Sequence, residues 1–228
     1  MAVLRVRFAR GPAARWLTPQ EFLSAIRDAA ERANLPVARE HGPRAELRSA
    51  ERRCARMRIT PGPPLTPGWE SRCEYVDFEL CRPITGWEFR QRLSAELPDG
   101  VEILWQRRLP PRSPHLRASV AAFTYTVSGE FDPQKAEAFL RAESRPMTRL
   151  RKNRQRTLDL RRSLARLDVA PGRLTMVIRV REEGTPKPEE VIEAVFGTPR
   201  EDAIRLPIER TAITFSPMPW PGAEMEKL

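Results

Sequence analysis

Hydrophobic and polar positions alternate from the first residues. Leu4, Val6 and Phe8 are interleaved with Arg5 and Arg7, the two-residue period of a half-buried strand. The period then changes. Thr18, Pro19 and Glu21 have the spacing of an N-cap, a first-turn proline and a capping-box partner, and Phe22, Ile26, Ala29, Ala30 and Ala33 follow at helical spacing until Asn34 and Pro36. From Val37 to Ala55 charge displaces periodicity, which predicts a surface loop or an irregular helix. Arg56 to Thr60 reads as a short strand and Tyr75 to Cys81 as a longer one, with Val76, Phe78 and Leu80 on one face. Between them Pro61, Pro63, Pro64 and Pro67 impose an extended loop over 61–68. A second helix starts at Thr85 with Glu88 three residues on, carries Phe89, Leu93 and Leu97, and stops at Gly100. A strand begins at Val101.

The order of elements then repeats beyond a proline-rich linker at 110–117. A strand covers Val120 to Ser128, and Asp132 with Pro133 opens a helix bearing Ala136, Phe139 and Leu140. The next strand is expected at Met147–Arg151 or Thr157–Leu160, and another at Leu174–Arg181. Val191, Ile192 and Val195 mark a helix that ends at Gly197, and Ile204 to Phe215 closes the unit. The fold class predicted is α+β: two tandem ferredoxin-like βαββαβ units with antiparallel sheets, at 1–109 and 118–215, and a flexible tail at 216–228. The repeat is one of layout, not of residues.

Composition narrows the function classes. Hydrophobic residues are 40% of the 228 and charged residues 31%, enough for a core within a polar surface. No run approaches a membrane span of ~20 apolar residues, and the N-terminus lacks the pattern of a secretory signal. Cys54, Cys73 and Cys81 have no C-x-x-C spacing and His41 and His115 lie far apart, so no cofactor and no metal site are expected. A reducing cytoplasm suits such cysteines. Forty Lys+Arg against 30 Asp+Glu give a formal charge of +10, which favours polyanionic partners, RNA first. An arginine-preferring genome accounts for the same balance.

Several blocks resemble the radical SAM-linked protein family, a domain of unknown function found beside or fused to radical S-adenosylmethionine enzymes. They are RWLT at 15–18 through ANLP at 33–36, PPL at 63–65, GWES at 68–71, EYVDFEL at 74–80, LPDG at 97–100 and the prolines at 110–111. Thinner likeness continues at 154–161, PEEV at 188–191 and RTA at 210–212. The resemblance implies a radical SAM enzyme as partner. The family's His-Leu-Asp opening the first helix is replaced by Pro19, Gln20 and Glu21. Its Gly-Phe-Asn-Pro-His-Pro loop is rewritten as an arginine-rich segment with Arg56 near the histidine's place. No catalytic residue is therefore carried across.

Arg145 to Arg166 is the densest basic run, and Arg149, Arg151, Lys152, Arg154, Arg156 and Arg161 are its candidate RNA-binding residues. Arginine forks match phosphate oxygens; a charged edge strand that blocks sheet-to-sheet association accounts for the run as well. A second cluster from Arg39 to Arg58 is diluted by Glu40, Glu46 and Glu51 and reads as a solvated face. Trp69, Glu70 and Ser71 end the proline loop and are candidates for recognition, against the plainer expectation that Trp69 packs the loop down. Trp16 and Trp87, beside helix starts, are expected to act as staples. Asp77 and Glu79 lie opposite the core face with Arg5 and Arg7 across from them, so a cross-strand ion-pair ladder competes with an acid/base pair that would include Glu70. Three functions follow: a non-catalytic accessory presenting RNA or another anionic substrate, an enzyme using those carboxylates, or a protein-docking module. Nothing in the chain fixes the oligomeric state.

Overall fold

A computed structural model describes residues 2–40, 56–111, 113–151 and 154–216. It is a mixed α/β structure with antiparallel strand pairing and, among the described residues, six helices. The chain divides into two compact units, one ending at Ala118 and the other beginning at Ser119. His41, Arg44, Glu46, Arg48, Glu51, Arg52, Arg53, Cys54, Lys152 and the tail beyond Ser216 lie outside the described residues.

In the first unit β1 (Ala2–Arg10), α1 (Pro19–Arg32), β2 (Ile59–Pro61), β3 (Glu70–Leu80), α2 (Gly86–Ser94) and β4 (Val101–Leu109) follow one another. The strands lie in the order β4-β1-β3-β2, each antiparallel to its neighbours. The alternation read from the sequence places Leu4, Val6 and Phe8 beside Val76, Phe78 and Leu80 on one face, where Phe22 and Ile26 of α1 and Phe89 and Leu93 of α2 bury against them. Phe78 meets Phe89 edge-on at 5.2 Å between ring centres, and Phe8 meets Phe22 at 6.3 Å.

The helices start where their capping residues require. Thr18 Oγ accepts the Glu21 N–H and the Glu21 carboxylate accepts the Thr18 N–H, which also holds the Glu21 carboxyl below its ordinary pKa. Thr85 caps α2 by accepting the Glu88 N–H. Buried Arg10 fixes the turn after β1: its Nε donates to the Ala14 carbonyl at 2.9 Å and its Nη2 to those of Arg15 and Leu17. Gly100 stands opposite this turn at φ +80°, its carbonyl accepting the Gly11 N–H.

The second unit contains β5 (Val120–Ser128), α3 (Pro133–Arg141), β6 (Pro146–Arg151), β7 (Arg154–Asp159), α4 (Leu160–Ser163), β8 (Leu164–Ala170), β9 (Arg173–Arg179), α5 (Pro188–Phe196), α6 (Arg200–Ala203) and β10 (Ile208–Phe215). Its main sheet has the order β10-β5-β9-β8, again antiparallel throughout. Val127, Leu174, Met176 and Ile178 of the sheet are buried, as are Phe139 of α3 and Val191 and Ile192 of α5.

The expected strand at Met147–Arg151 or Thr157–Leu160 is corrected here. Both segments are strands, but they pair with each other as a separate two-stranded hairpin, and the sheet position goes to β8. The register shift between Leu164 and Arg166 breaks β8's alternation and hides it from a period-two reading. The tryptophan expectation is also corrected. Trp16 and Trp87 are 67% and 74% exposed, too open to staple a helix to the core.

Gly100 makes the turn's tolerance testable. A Cβ there would lie 2.9 Å from both Ala13 Cβ and the Ala14 backbone nitrogen, in a left-handed conformation that already disfavours a side chain. Gly100→Ala should therefore lower stability by about 2 kcal/mol, measured as a shift in the urea midpoint at unchanged slope.

Candidate nucleic-acid interface

The hairpin is where the basic run acquires geometry. Its register sets Arg149 opposite Arg156 and Arg151 opposite Arg154, so four arginine positions fall on one face by strand alternation. Met147 and Leu158 continue that face toward the base, where Leu158 is buried.

Asp159 ties the base. Its carboxylate accepts the Arg145 N–H at 3.1 Å, the Ser144 hydroxyl at 2.9 Å and the Arg161 and Arg162 N–H groups at 2.9 and 3.3 Å. Partial burial pushes the Asp159 carboxyl upward, but these hydrogen bonds outweigh it and hold the pKa below its ordinary value. The same residue is the N-cap of α4, which turns the chain from the hairpin into β8.

Ion pairing separates the arginines into two groups. The Arg149 fork grips Glu190 at the start of α5, with Nε 3.0 Å from Oε1 and Nη2 on Oε2, and reaches the Thr185 carbonyl. Glu190 is 1% exposed; it also accepts the Lys187 N–H and a hydrogen bond from Arg200. Arg161 donates from Nε to the Leu140 carbonyl at the end of α3. Arg162 pairs with Asp159, and Arg166 with Asp168. Among the described residues of the run, Arg145 and Arg156 have no side-chain partner, and both are exposed. The side chains of Arg151 and Arg154, like all of Lys152, lie outside what is described.

The other candidates are distributed differently. Trp69 and Ser71 are buried at 4% and 2% exposure and Glu70 is half-buried, so the end of the proline loop is packed down. Trp16 lies on that loop's Gly68, with the Arg15 guanidinium 5.4 Å from its ring centre. Arg5 holds Asp77 bidentately, both contacts 2.7 Å, with Arg5 fully buried. Glu79 pairs not with Arg7 but with Arg58 from the lead into β2, at 2.9 Å. Arg7 instead stands opposite Tyr75, whose hydroxyl is pushed to a higher pKa chiefly by burial. Two of the three carboxylates considered for acid/base chemistry are thus held by arginine.

A family model described as an uncharacterized protein conserved in bacteria (DUF2344) matches residues 4–188. The chain belongs to that family. The match takes in most of the first unit, the arginine hairpin and the second unit to the first residue of α5, more than half the chain. The family's description makes no mention of radical SAM enzymes. No curated protein matches the chain. Among the described residues no helix is long and apolar enough to cross a membrane, and no group of three or more metal-ligating side chains forms.

The Arg149–Glu190 contact and the Asp159 knot are sequence-distant features that periodicity does not reach. Arg149→Ala leaves a buried carboxylate short of a partner and should cost on the order of 3 kcal/mol, read by denaturant unfolding. Asp159 gives a pH test. Its lowered folded-state pKa means its contribution is complete above the unfolded value, about 3.9, and is lost as pH falls through the folded value. Asp159→Asn should therefore flatten part of the acid limb of the stability profile, measured by urea midpoints between pH 6 and pH 3.

Proposed function

We propose that this chain is a non-catalytic accessory protein that holds RNA, or another anionic substrate, for a partner radical SAM enzyme in the cytoplasm. The observation that carries the reading is the hairpin register, which sets arginine directly opposite arginine twice. Like charges across a strand pair are destabilising. Glu190 relieves one of these pairs by engaging Arg149, and Arg156 is left with its charge uncompensated. A phosphate backbone supplies the missing counter-charge, and arginine presents it a bidentate fork. The net charge of +10 points the same way.

We also infer that both units follow the ferredoxin-like plan, since each runs its main-sheet strands in the order fourth, first, third, second. The hairpin is then an insertion between the first helix and the second strand of the later unit. The radical SAM partner rests on the sequence resemblance alone. Asp77 and Glu79 favour an ion-pair role over acid/base work, because each is already neutralised by an arginine.

Single-stranded RNA should bind with a log K that falls linearly with log salt, with a slope of about −2 to −3 for three or four phosphate contacts. Arg156→Ala should reduce that slope by about 0.7, measured by fluorescence anisotropy between 50 and 200 mM salt. Wild-type protein that shows no RNA binding at the low-salt end would contradict the proposal.

A further inference from the structure

An open cleft of about 420 Å³ lies between α3 and α5, within the range of small-molecule sites. Ala138 of α3, Ala142 just past its end and Ala194 of α5 give it a lining of small side chains, and Phe196 also lines it, with the Phe131 ring 5.0 Å from its own. Two lining residues are charged, Lys135 and Arg145, and no carboxylate lines it. The carbonyl end of α5 alone would repel an anion. Lys135 offsets that by donating from Nζ to the Phe196 carbonyl at 3.0 Å, which leaves its other two hydrogens available. Arg145, placed by its backbone bond to Asp159 at the root of the hairpin, has no side-chain partner.

An apolar lining of small side chains and one aromatic ring beside two cations suits a ligand with a planar body and a phosphate. From this geometry we propose that the α3–α5 cleft is a nucleoside monophosphate site: the base lies against the alanine lining and Phe196, and Arg145 and Lys135 hold the phosphate. Choosing a nucleotide over other anions rests on the RNA reading of the adjoining hairpin. The same chemistry comes from a free nucleotide or from the 5′-phosphorylated end of an RNA whose following phosphates run along the arginine face.

The test is calorimetric titration of the full chain with AMP, and with a decamer RNA carrying either a 5′-phosphate or a 5′-hydroxyl. Arg145→Ala and Ala138→Trp, which fills the cleft from an exposed helix position, are compared with wild type after thermal melts confirm that they fold. Saturable AMP binding, weakened about tenfold or more by each variant, establishes a site for free nucleotide. Tighter binding of the 5′-phosphorylated decamer, with that preference abolished in Ala138→Trp, assigns the site to an RNA end. AMP that fails to saturate together with no 5′-phosphate preference, or an Ala138→Trp variant that binds both probes like wild type, overturns the proposal. RNA binding that persists with neither signature removes the cleft site and leaves the hairpin reading intact.

Discussion

A guanidinium cannot leave water without acceptors, and this chain takes several out of water. Burying an unpaired charge costs far more than any single hydrophobic contact returns. The fold is arranged around meeting that demand. Arg5 has both oxygens of Asp77, Arg10 has three backbone carbonyls of the turn it encloses, and Arg149 has the buried Glu190. Arg92 reaches the Ala33 and Asn34 carbonyls at the end of α1, so an arginine also fastens helix to helix. In each case the long side chain spans elements that hydrophobic packing alone would leave free to slide.

The same demand separates structural cations from available ones. Arginines that join elements engage carboxylates or carbonyls, while Arg145 at the base of a hairpin outside the main sheets and Arg156 midway along its second strand are left exposed. Exposed arginines without a side-chain acceptor also occur elsewhere, at Arg82, Arg107 and Arg173, so the proposed interface is set apart by where its arginines sit and not by exposure alone. Overall positive charge would not distinguish it, since the chain is basic throughout. The hairpin's register and the Glu190 contact do. The DUF2344 match at residues 4–188 covers this hairpin along with most of the first unit.

Local rules made much of this legible in the sequence. Alternation located β1 and β3, the capping residues Thr18, Thr85 and Asp132 located three helix starts, and the Arg–carboxylate ladder was visible in the facing alternation of Arg5 and Asp77. What stayed hidden depends on register and distance. A bulge breaks the period of β8, and the basic hairpin strands carry the same alternation as a strand of the main sheet. Glu190 lies 41 residues from Arg149, and nothing in either neighbourhood predicts the contact. Trp16 and Trp87 stand where staples would, but exposure is set by tertiary packing, which helix-start position does not encode.

The central claim is that the hairpin and its unpaired arginines, Arg145 and Arg156, form the RNA-contacting surface. Ultraviolet crosslinking of the native, RNA-retaining protein, with crosslinked peptides identified by mass spectrometry, tests it most directly. The account predicts nucleotide adducts concentrated between Ala142 and Arg161, with Arg145 and Arg156 in the modified peptides. Adducts confined to the first unit, or a folded protein that retains no RNA from its host, would contradict it.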